Sequence, residues 1–322
     1  MPTTPLTLTV LGPERPAPAL PRVLDQLGIR GPLALVSAGW RYDEERDEPL
    51  REAVGRPVHN LRLYAAFRAL ERELPDLLAA WTSKQQALRR AKEQYRRAIV
   101  PAMRACQDLL AARHDPEDPW FQEAVRHLQR VDALFLQEAT RLHEGFFRAF
   151  APLDHPRVAL QRARMQEVLA NCDTVMIAGG HVGVLQNRLM FYAFRDLLAD
   201  KHVIAWSGGA MCLTERVLLY HDHTTLGAGL AEYLDTGLGV IRNVVFLPHA
   251  RERLDLGHTD NVRILARRLL PARAVTLQNG AVLRGAALRS HGAEDACAHI
   301  EADGTLRSVP TGAPAGLEVR GA

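Results

Sequence analysis

Two neighbouring stretches of this 322-residue chain each join an apolar run to a glycine turn and a helical pattern. Residues 174–178 run into Gly179-Gly180-His181, and residues 203–206 run into Ser207-Gly208-Gly209. Successive strand–turn–helix units predict parallel strands of one sheet, because a helix has to cross back between such strands. The two turns would then meet at the carboxyl edge of that sheet, where α/β proteins place functional groups.

The same alternation appears at the start of the chain and again near its end. Apolar runs at residues 6–11, 32–40 and 58–63 alternate with helical patterns, and a later run at 243–247 ends at Pro248-His249. Short strands separated by turns follow from about residue 272. We therefore expect an α/β fold built on a doubly wound, mostly parallel sheet.

The middle of the chain, from about residue 64 to about residue 171, has almost no strand signal and a single glycine, Gly145. Two apolar stripes with spacings of mainly three and four residues predict two helix faces. The first stripe is Leu88, Ala91, Tyr95, Ala98, Ala102, Ala105, Leu109 and Ala112, and the second is Phe121, Val125, Leu128, Phe135, Ala139, Leu142, Phe146 and Ala149. With the turn at residues 114–119 between them, they indicate an antiparallel helical hairpin with an alanine-rich seam.

These patterns divide the chain into a discontinuous α/β domain, residues 1–65 and 165–322, and an inserted helical hairpin, residues 66–164. Pro101 lies inside the first helical pattern and is expected to kink or interrupt it. Packing within the chain or across a homodimer accounts for the apolar seam, and a substrate-gating arm is the alternative. The hairpin's arginines are expected to form a solvated face: Arg89, Arg90, Arg96 and Arg97.

Charge and cysteine content argue against several classes of protein. The net charge of +3 comes without a long basic run, so nothing favours nucleic-acid binding. The four cysteines are widely spaced and form no C-x-x-C pair, which argues against a zinc ribbon and suits a reducing compartment. The first residues lack a signal-peptide pattern, and no apolar run reaches the ~18 residues of a membrane span. We therefore expect a cytoplasmic protein that does not enter a membrane.

Ser207 lies where a strand turns sharply into a helix, a position that exposes a serine hydroxyl to solvent. A serine nucleophile also needs a base, an acid that orients the base, and donors for an oxyanion. His249, at the end of the 243–247 run, is the candidate base, and Asp222 is the candidate acid. The backbone N–H groups of Gly180 and Gly208 are the candidate oxyanion donors, because glycine permits the close approach that such a hole requires.

Each of these residues also has a simpler interpretation. Asp222 suits a cap or a turn, His249 a hydrogen-bonded strand end, and Gly179-Gly180 a plain turn. A metal site made of His221, Asp222, His223 and His249 is an alternative, although the short spacing lacks an H-E-x-x-H pattern. Gly179-Gly180 also lacks both glycine-rich phosphate-loop patterns. No metal and no cofactor is therefore expected.

These residues together resemble the α-aspartyl dipeptidase/cyanophycinase family of serine peptidases, whose fold is that of class I glutamine amidotransferases. Ser207-Gly208-Gly209-Ala210 is similar to the family's Ser-Ala-Gly-Ala elbow, and Asp222 lies fifteen residues after Ser207, as in the dipeptidase branch. The approach to His249 and the turn at Gly180 are similar as well. The resemblance covers residues 173–285 and, more weakly, the first strands; the small dipeptidases have no counterpart of the hairpin. It implies a serine triad of Ser207, His249 and Asp222.

The chain departs from the family pattern at His181, which replaces the usual asparagine beside the oxyanion turn. His181 is therefore a candidate substrate-binding residue, as is Arg251, which follows His249 together with Arg253 and could bind a substrate carboxylate. Solvated surface arginines are the alternative. A glutamine amidotransferase is disfavoured, because its nucleophile would be a cysteine and its His-x-Glu motif would need an acid at Arg251.

The sequence thus predicts a serine hydrolase that acts on a peptide or isopeptide-like amide, with no cofactor. A protein of a different class, a binding or scaffold protein on the same fold that uses the hairpin for assembly, is the alternative. A hydrolase for a non-peptide ester or amide is a third possibility. The expected partners are a peptide or small amide substrate and, through the hairpin, a second copy of the chain.

Overall fold

Helices and strands alternate at both ends of the chain, and helices alone fill the middle, in a computed structural model that describes residues 7–15, 18–113, 115–222, 230–316 and 318–319. The strands are β1 Thr7–Leu11, β2 Leu33–Val36, β3 Val58–Asn60, β4 Thr174–Ile177, β5 His202–Trp206, β6 Arg216–Leu219, β7 Glu232–Thr236, β8 Ile241–Arg242, β9 Val244–Pro248, β10 Arg273–Leu277, β11 Val282–Arg284, β12 Arg289–Ser290, β13 Cys297–Ile300, β14 Leu306–Ser308 and β15 Glu318–Val319. The α-helices are α1 Leu20–Gln26, α2 Glu48–Val54, α3 Leu63–Glu73, α4 Pro75–Arg113, α5 Pro119–Phe150, α6 Pro156–Ala170, α7 Val182–Phe191, α8 Gly208–Leu213, α9 Ala250–Arg253 and α10 Thr259–Leu269. Short 3₁₀ helices span Ala38–Asp43, Pro152–Asp154 and Phe194–Leu198.

The larger sheet has seven strands in the order β12-β11-β1-β5-β4-β2-β3. The strands β1, β5, β4, β2 and β3 are parallel, whereas β11 pairs antiparallel with β1. Every residue of β2 and β4 is buried, as expected for parallel strands covered on both faces. The mixed α/β class predicted from the apolar runs is therefore confirmed.

Alternate residues of this sheet face two separate cores. Val175, Ile177 and Ala205 face a core that includes Phe67 of α3 and Leu185 of α7. The neighbouring strand residues, among them Leu35, Met176 and Ile204, face the other core together with Leu20, Val23 and Leu24 of α1. This period of two, with helices on both faces, leaves the carboxyl ends of the strands as the free edge for functional residues.

The strand before His249 does not belong to this sheet. β9 pairs parallel with β10 in a second sheet, ordered β14-β13-β10-β9. A single parallel sheet carrying both Ser207 and His249 is therefore wrong, because β11 already pairs with the open side of β1. The two sheets still meet at their carboxyl ends, since a side chain at Gly12, just after β1, would collide with the backbone carbonyl of Gln278, just after β10.

The central helices form the predicted antiparallel hairpin. α4 has 39 residues and α5 has 32 residues, so α4 extends about 58 Å at ~1.5 Å per residue. The helix α4 continues through Pro101, so an interruption there is excluded, while a kink stays a prediction. His114, in the predicted turn, lies outside the described residues. The 66–164 boundaries stay a prediction, as does a homodimer through the hairpin.

The buried face of α4 differs from the predicted alanine seam. Ala98, Ala105 and Ala112 are exposed, whereas Ile99 and Cys106 are buried. A 3.6-residue helical repeat drifts away from a strict seven-residue repeat, so the buried face moves to these larger side chains along α4. The predicted stripe of α5 largely holds, with Phe121, Val125, Leu128, Phe135, Ala139 and Phe146 buried.

The hairpin packs within the chain, against β7, α10 and the second sheet, as one apolar core shows. Two buried polar networks reinforce this contact. Arg268 of α10 donates to both carboxylate oxygens of Asp132 on α5, over 2.6 and 2.7 Å, and the hydroxyl of Tyr95 on α4 donates to Asp132 over 2.8 Å. Burial disfavours the charge on Arg268, but the hydrogen bonds to Asp132 outweigh it and raise the guanidinium pKa. The hairpin is therefore anchored on the body of the protein.

The second network joins the hairpin to β7. His143 of α5 lies 2.8 Å from Asp235 of β7 through Nε2 and 3.0 Å from the Nζ of Lys84 through Nδ1. Burial lowers the pKa of Lys84 to about 8, against the attraction of Asp235. A buried charged or polar side chain is costly unless it has an ion-pair or hydrogen-bond partner. These contacts form in only one position of the hairpin against β7, so they hold it there.

Candidate active site

Ser207 lies between β5 and α8 in a strained backbone conformation, with φ 50° and ψ −121°. A positive φ is uncommon for a residue with a side chain, and such strain is concentrated at functional sites. The next three residues, Gly208, Gly209 and Ala210, begin α8. Ser207 therefore occupies the sharp strand-to-helix turn that its sequence pattern predicts.

Glycines make this turn possible by removing side chains that would fill it. A Cβ atom on Gly179 would lie 2.9 Å from the Cβ and 3.2 Å from the Oγ of Ser207. A Cβ atom on Gly209 would collide with the carbonyl oxygen of Ile177 at the end of β4. A side chain at position 179 would therefore displace the serine, and one at position 209 would push α8 away from the end of β4.

Two backbone N–H groups beside Ser207 are available as donors. Gly180 follows β4 with φ 115°, and Gly208 is the first residue of α8. Neither N–H group has a hydrogen-bond partner in the part of the chain that the structure describes. A Cβ on Gly208 would lie only 3.3 Å from the carbonyl oxygen of Gly180, so the two residues are neighbours. The structure therefore brings together Ser207 and both glycines that the sequence pairs with it.

Ser207, Gly180 and Gly208 line one cavity of about 370 Å³ at the carboxyl edge of the sheet. Its other walls come from α7, α8, β6, β7 and the ends of β9 and α9. The described residues that complete the wall are Val182, Met211, Leu219, Tyr220, His221, Leu230, Glu232, Pro248 and Arg253. A cavity of this size accommodates a small organic ligand.

His249 lies between the cavity residue Pro248, which ends β9, and the first residue of α9, in a left-handed conformation with φ 59°. Its N–H donates to the carbonyl of Leu277 over 3.1 Å, and the hydroxyl of Tyr220 donates to the carbonyl of Pro248 over 2.5 Å. The helix α8 packs against β9, so the elements that carry Ser207 and His249 are in contact. His249 is half-buried, and it is not one of the described residues that line the cavity.

The surroundings of His249 favour its neutral form. Burial is the main cause of a lowered pKa of the imidazole, and the positive charge of Arg253 adds to it. The negative charge of Glu252 opposes the shift. A neutral imidazole is the form that can accept a proton from a serine.

Asp222 lies beside α9 and on the wall of a second, adjoining cavity. Its N–H donates to the carbonyl of Arg253 over 2.6 Å, and its Oδ2 accepts from the N–H of Asp255 over 3.0 Å. The carboxylate thus holds the segment just after α9. These contacts place Asp222 against the segment that follows His249 and α9.

The two tentative substrate-binding residues lie outside the cavity wall. His181 caps α7, because its Nδ1 accepts from the N–H of Val184 over 3.2 Å. Arg251 is exposed and donates to the carbonyl of Asp295 over 3.3 Å. Of the two arginines that follow His249, Arg253 is the one that lines the cavity.

Sequence reasoning missed Glu232, which lies on β7 and lines the cavity. Arg96 of α4 forms two hydrogen bonds of 2.6 Å with its carboxylate, and the Nζ of Lys92 lies 3.2 Å away. Burial opposes ionisation of Glu232, but these cations outweigh it and lower its pKa. Arg96, predicted as part of a solvated face, is therefore half of an ion pair. The partners are 136 positions apart, so no local pattern could have indicated the contact.

Among the described residues there is no group of three or more histidine, cysteine, aspartate or glutamate side chains able to hold a metal ion. His223, a member of the alternative metal site, lies outside those residues. All four cysteines are buried and free of disulfides. Within the described ranges, none of the helices combines the length and the apolar character that crossing a membrane requires.

No protein-family model and no curated protein matches this chain. Among solved structures, the chain is similar to a peptidase from an acI-B1 Actinobacterium, with 12% sequence identity and a TM-score of 0.45. The likeness covers 96% of this chain and 95% of that chain. A similarity at this level does not transfer that protein's activity to this chain.

Proposed function

We propose that this protein is a serine hydrolase that cleaves a peptide or isopeptide-type amide, with Ser207 as the nucleophile. One observation carries the proposal: a strained serine at a strand-to-helix turn shares a cavity with two backbone N–H groups that have no partner in the described chain. Nucleophile and oxyanion donors in one pocket are the arrangement that acyl transfer requires.

In the proposed reaction, the Oγ of Ser207 attacks the substrate carbonyl while His249 takes the hydroxyl proton. The carbonyl oxygen becomes an oxyanion held by the N–H groups of Gly180 and Gly208, each worth roughly 3 kcal/mol of the barrier. The imidazolium then returns the proton to the amine, the C–N bond breaks, and an ester to Ser207 remains. Water, deprotonated by His249, cleaves that ester and regenerates the serine.

Asp222 is the proposed orienting acid for His249, on the grounds of its position in the chain and its contact with the residues that follow α9. Ser207 and His249 are carried by α8 and β9, which pack together, and this supports the pairing. For the mechanism to run, the ring of His249 has to turn towards the cavity that Pro248 and Arg253 line. Catalytic hydrogen bonds often form only when the substrate is bound.

The finer assignment, to the α-aspartyl dipeptidase/cyanophycinase family with the fold of class I glutamine amidotransferases, is part of the same proposal. It is supported by the elbow Ser207-Gly208-Gly209-Ala210 and by the glycine turn that packs against it. The hydrolase for a non-peptide ester or amide would use the same residues and differs only in substrate. Profiling against acidic dipeptides, β-linked aspartyl peptides and N-blocked peptides distinguishes them.

The competing function is a binding or scaffold protein on this fold. The Asp222 carboxylate accepts from the N–H of Asp255 and so has a structural role in holding the segment after α9, which favours this alternative. In that case Ser207 would be chemically ordinary and the hairpin would serve assembly.

A fluorophosphonate probe separates the two functions. We expect stoichiometric labelling of the wild-type protein and none of the Ser207→Ala variant, with unchanged circular dichroism. Ser83→Ala, an exposed serine on α4, is the matched control and should label normally. Peptide hydrolysis should fall by at least about 10⁴-fold in Ser207→Ala and strongly in Asp222→Asn. Hydrolysis that survives Ser207→Ala would exclude the proposed mechanism.

A further inference from the structure

A second cavity, of about 380 Å³, lies where the inserted hairpin meets the α/β body. The helix α4 forms one side of it and α10 another, and Asp222, Leu230 and Ala231 lie on a further side. Its described lining residues are Val100, Met103, Arg104, Gln107, Asp222, Leu230, Ala231, Leu254, Asn261, Val262 and Leu265.

The two cavities adjoin. Leu230 lines both of them, and the chain residues on either side of their boundary alternate between the two. His221 faces the first cavity and Asp222 the second, while Ala231 faces the second and Glu232 the first. A ligand longer than the first cavity would therefore pass over Leu230 and reach α4.

The second cavity has the chemistry of a peptide subsite. Val100, Met103 and Leu265 give it an apolar lining suited to a side chain without charge. Gln107 and Asn261 form an amide pair at its wall, with a hydrogen bond of 2.8 Å. Arg104 is exposed, and no ion pair or hydrogen bond joins its guanidinium to another described residue. An available guanidinium is a natural partner for a carboxylate.

The wall that α4 contributes is held in place before any ligand arrives. Arg268 links Asp132 of α5 and Tyr95 of α4, and its Nη1 donates to the carbonyl of the lining residue Ala231 over 2.6 Å. His143 and Asp235 fix the hairpin to β7 over 2.8 Å. A preformed site avoids the cost of ordering a loop on binding, so this geometry favours a subsite and argues against a gating arm.

We propose that this second cavity is an extended substrate subsite: it binds the portion of a peptide that continues beyond the bond attacked by Ser207, with an apolar side chain in the cavity and a carboxylate at Arg104. The inference rests on the proposed function of Ser207 and adds a substrate class to it. The preferred substrates are peptides longer than two residues that carry an apolar residue before a free carboxyl end. The hairpin is then the element that sets substrate length.

Direct binding tests this without relying on turnover. Peptides of two, four and six residues, each ending in Leu-Glu with a free carboxylate, are titrated calorimetrically into the Ser207→Ala protein. We expect the six-residue peptide to bind at least about tenfold more tightly than the two-residue peptide. Amidation of the peptide's C-terminus or the Arg104→Gln substitution should weaken binding of the six-residue peptide about tenfold, the usual scale for a hydrogen bond to a charged group. Arg97→Gln, an exposed arginine of α4 outside the cavity, is the matched control and should change nothing.

Equal affinities for all three lengths, or equal effects of Arg104→Gln and Arg97→Gln, would overturn the subsite. Hydrolysis by the wild-type protein is measured in parallel. If peptides are cleaved regardless of length, the proposed function stands and the subsite is wrong. If no peptide is cleaved but length-dependent binding is lost in Arg104→Gln, the subsite stands as a binding site and the hydrolase proposal is wrong.

Discussion

The turn at Ser207 and the inserted hairpin are built in opposite ways. At the turn, the chain omits side chains: Gly179 and Gly209 are required because a Cβ atom on either would meet the neighbouring backbone or Ser207 itself. Where the hairpin meets the α/β body, the position of the hairpin is fixed by large polar side chains buried in pairs, above all Arg268 of α10 with Asp132 of α5. The turn positions a reactive group through a strained backbone. The buried ion pair holds the hairpin, and with it one wall of the second cavity, in a fixed position.

The two regions are therefore sensitive to different substitutions. A small added methyl group should damage the turn without unfolding the protein, because the contact is local. Removal of one charge should damage the hairpin globally, because an unpaired ion is left in an apolar core. The following substitutions test that contrast.

Loss of the Asp132 carboxylate should have the largest effect. Asp132→Ala leaves Arg268, whose side chain is fully buried, without its counter-ion, and we expect the free energy of unfolding to fall by about 3–5 kcal/mol. Denaturant unfolding measures it. Glu123→Ala, which removes exposed ion pairs with Arg126 and Arg130 on α5, is the control and should cost less than about 1 kcal/mol. A cost for Asp132→Ala as small as that of the control would contradict a buried charge network.

A methyl group at Gly179 should affect the turn instead. In Gly179→Ala the new Cβ would lie 2.9 Å from the Cβ of Ser207, and we expect hydrolysis to fall at least about 100-fold, because displacement of the nucleophile by roughly 1 Å costs that much. The matched control lies in the hairpin. A Cβ on Gly145 of α5 meets nothing within 4 Å, so Gly145→Ala should leave activity intact and stabilise the helix by up to about 1 kcal/mol. Normal activity in Gly179→Ala would show that Ser207 is not constrained by this contact.

The same contrast explains what could be predicted from the sequence. The strand–glycine–helix units and the position of Ser207 depend on patterns within ten residues, and these were correct. The hairpin was also predicted, because helical periodicity persists along α4 and α5. In α4 the prediction is wrong at Ala98, Ala105 and Ala112, which are exposed, whereas the predicted Ala102 is buried. A heptad pattern ignores helical drift and the size of Ile99 and Cys106, which are buried instead.

Contacts between distant segments could not be predicted. The placement of β9 in a second sheet depends on which strand pairs with β1, and several apolar strands of similar length compete for that edge. The role of Glu232 in the cavity wall depends on Arg96, which a helical pattern assigns only to an exposed face. The catalytic assignment of His249 and Asp222 stays a prediction for the same reason, because it depends on how two loops approach each other.

The pH dependence of hydrolysis tests whether His249 is the base. The pKa of His249 is lowered from 6.5 by burial and by Arg253, and the proposed base works when neutral. The acidic limb of kcat/KM should therefore lie below pH 6.5 in the wild-type protein. Removing the nearby positive charge in Arg253→Gln should move that limb to higher pH, and removing the negative charge in Glu252→Gln should move it to lower pH. Shifts in the same direction for both variants would exclude His249 as the titrating base.

The smallest effect is expected where the two regions touch. Arg96 of the hairpin is 58% exposed and pairs with Glu232 of the cavity wall, so Arg96→Gln should cost no more than about 1 kcal/mol of folding free energy, and less at high salt. Because the folded-state pKa of Glu232 is lowered, this contribution is present above the unfolded value near 4.5 and disappears as the pH falls through the folded value. Denaturant unfolding at pH 7, at low and at high salt, with Arg97→Gln as the control, measures the difference. A cost of several kcal/mol, or one that is insensitive to salt, would mean that Arg96 supports the hairpin by packing, and the cavity wall and the hairpin would then form one region instead of two.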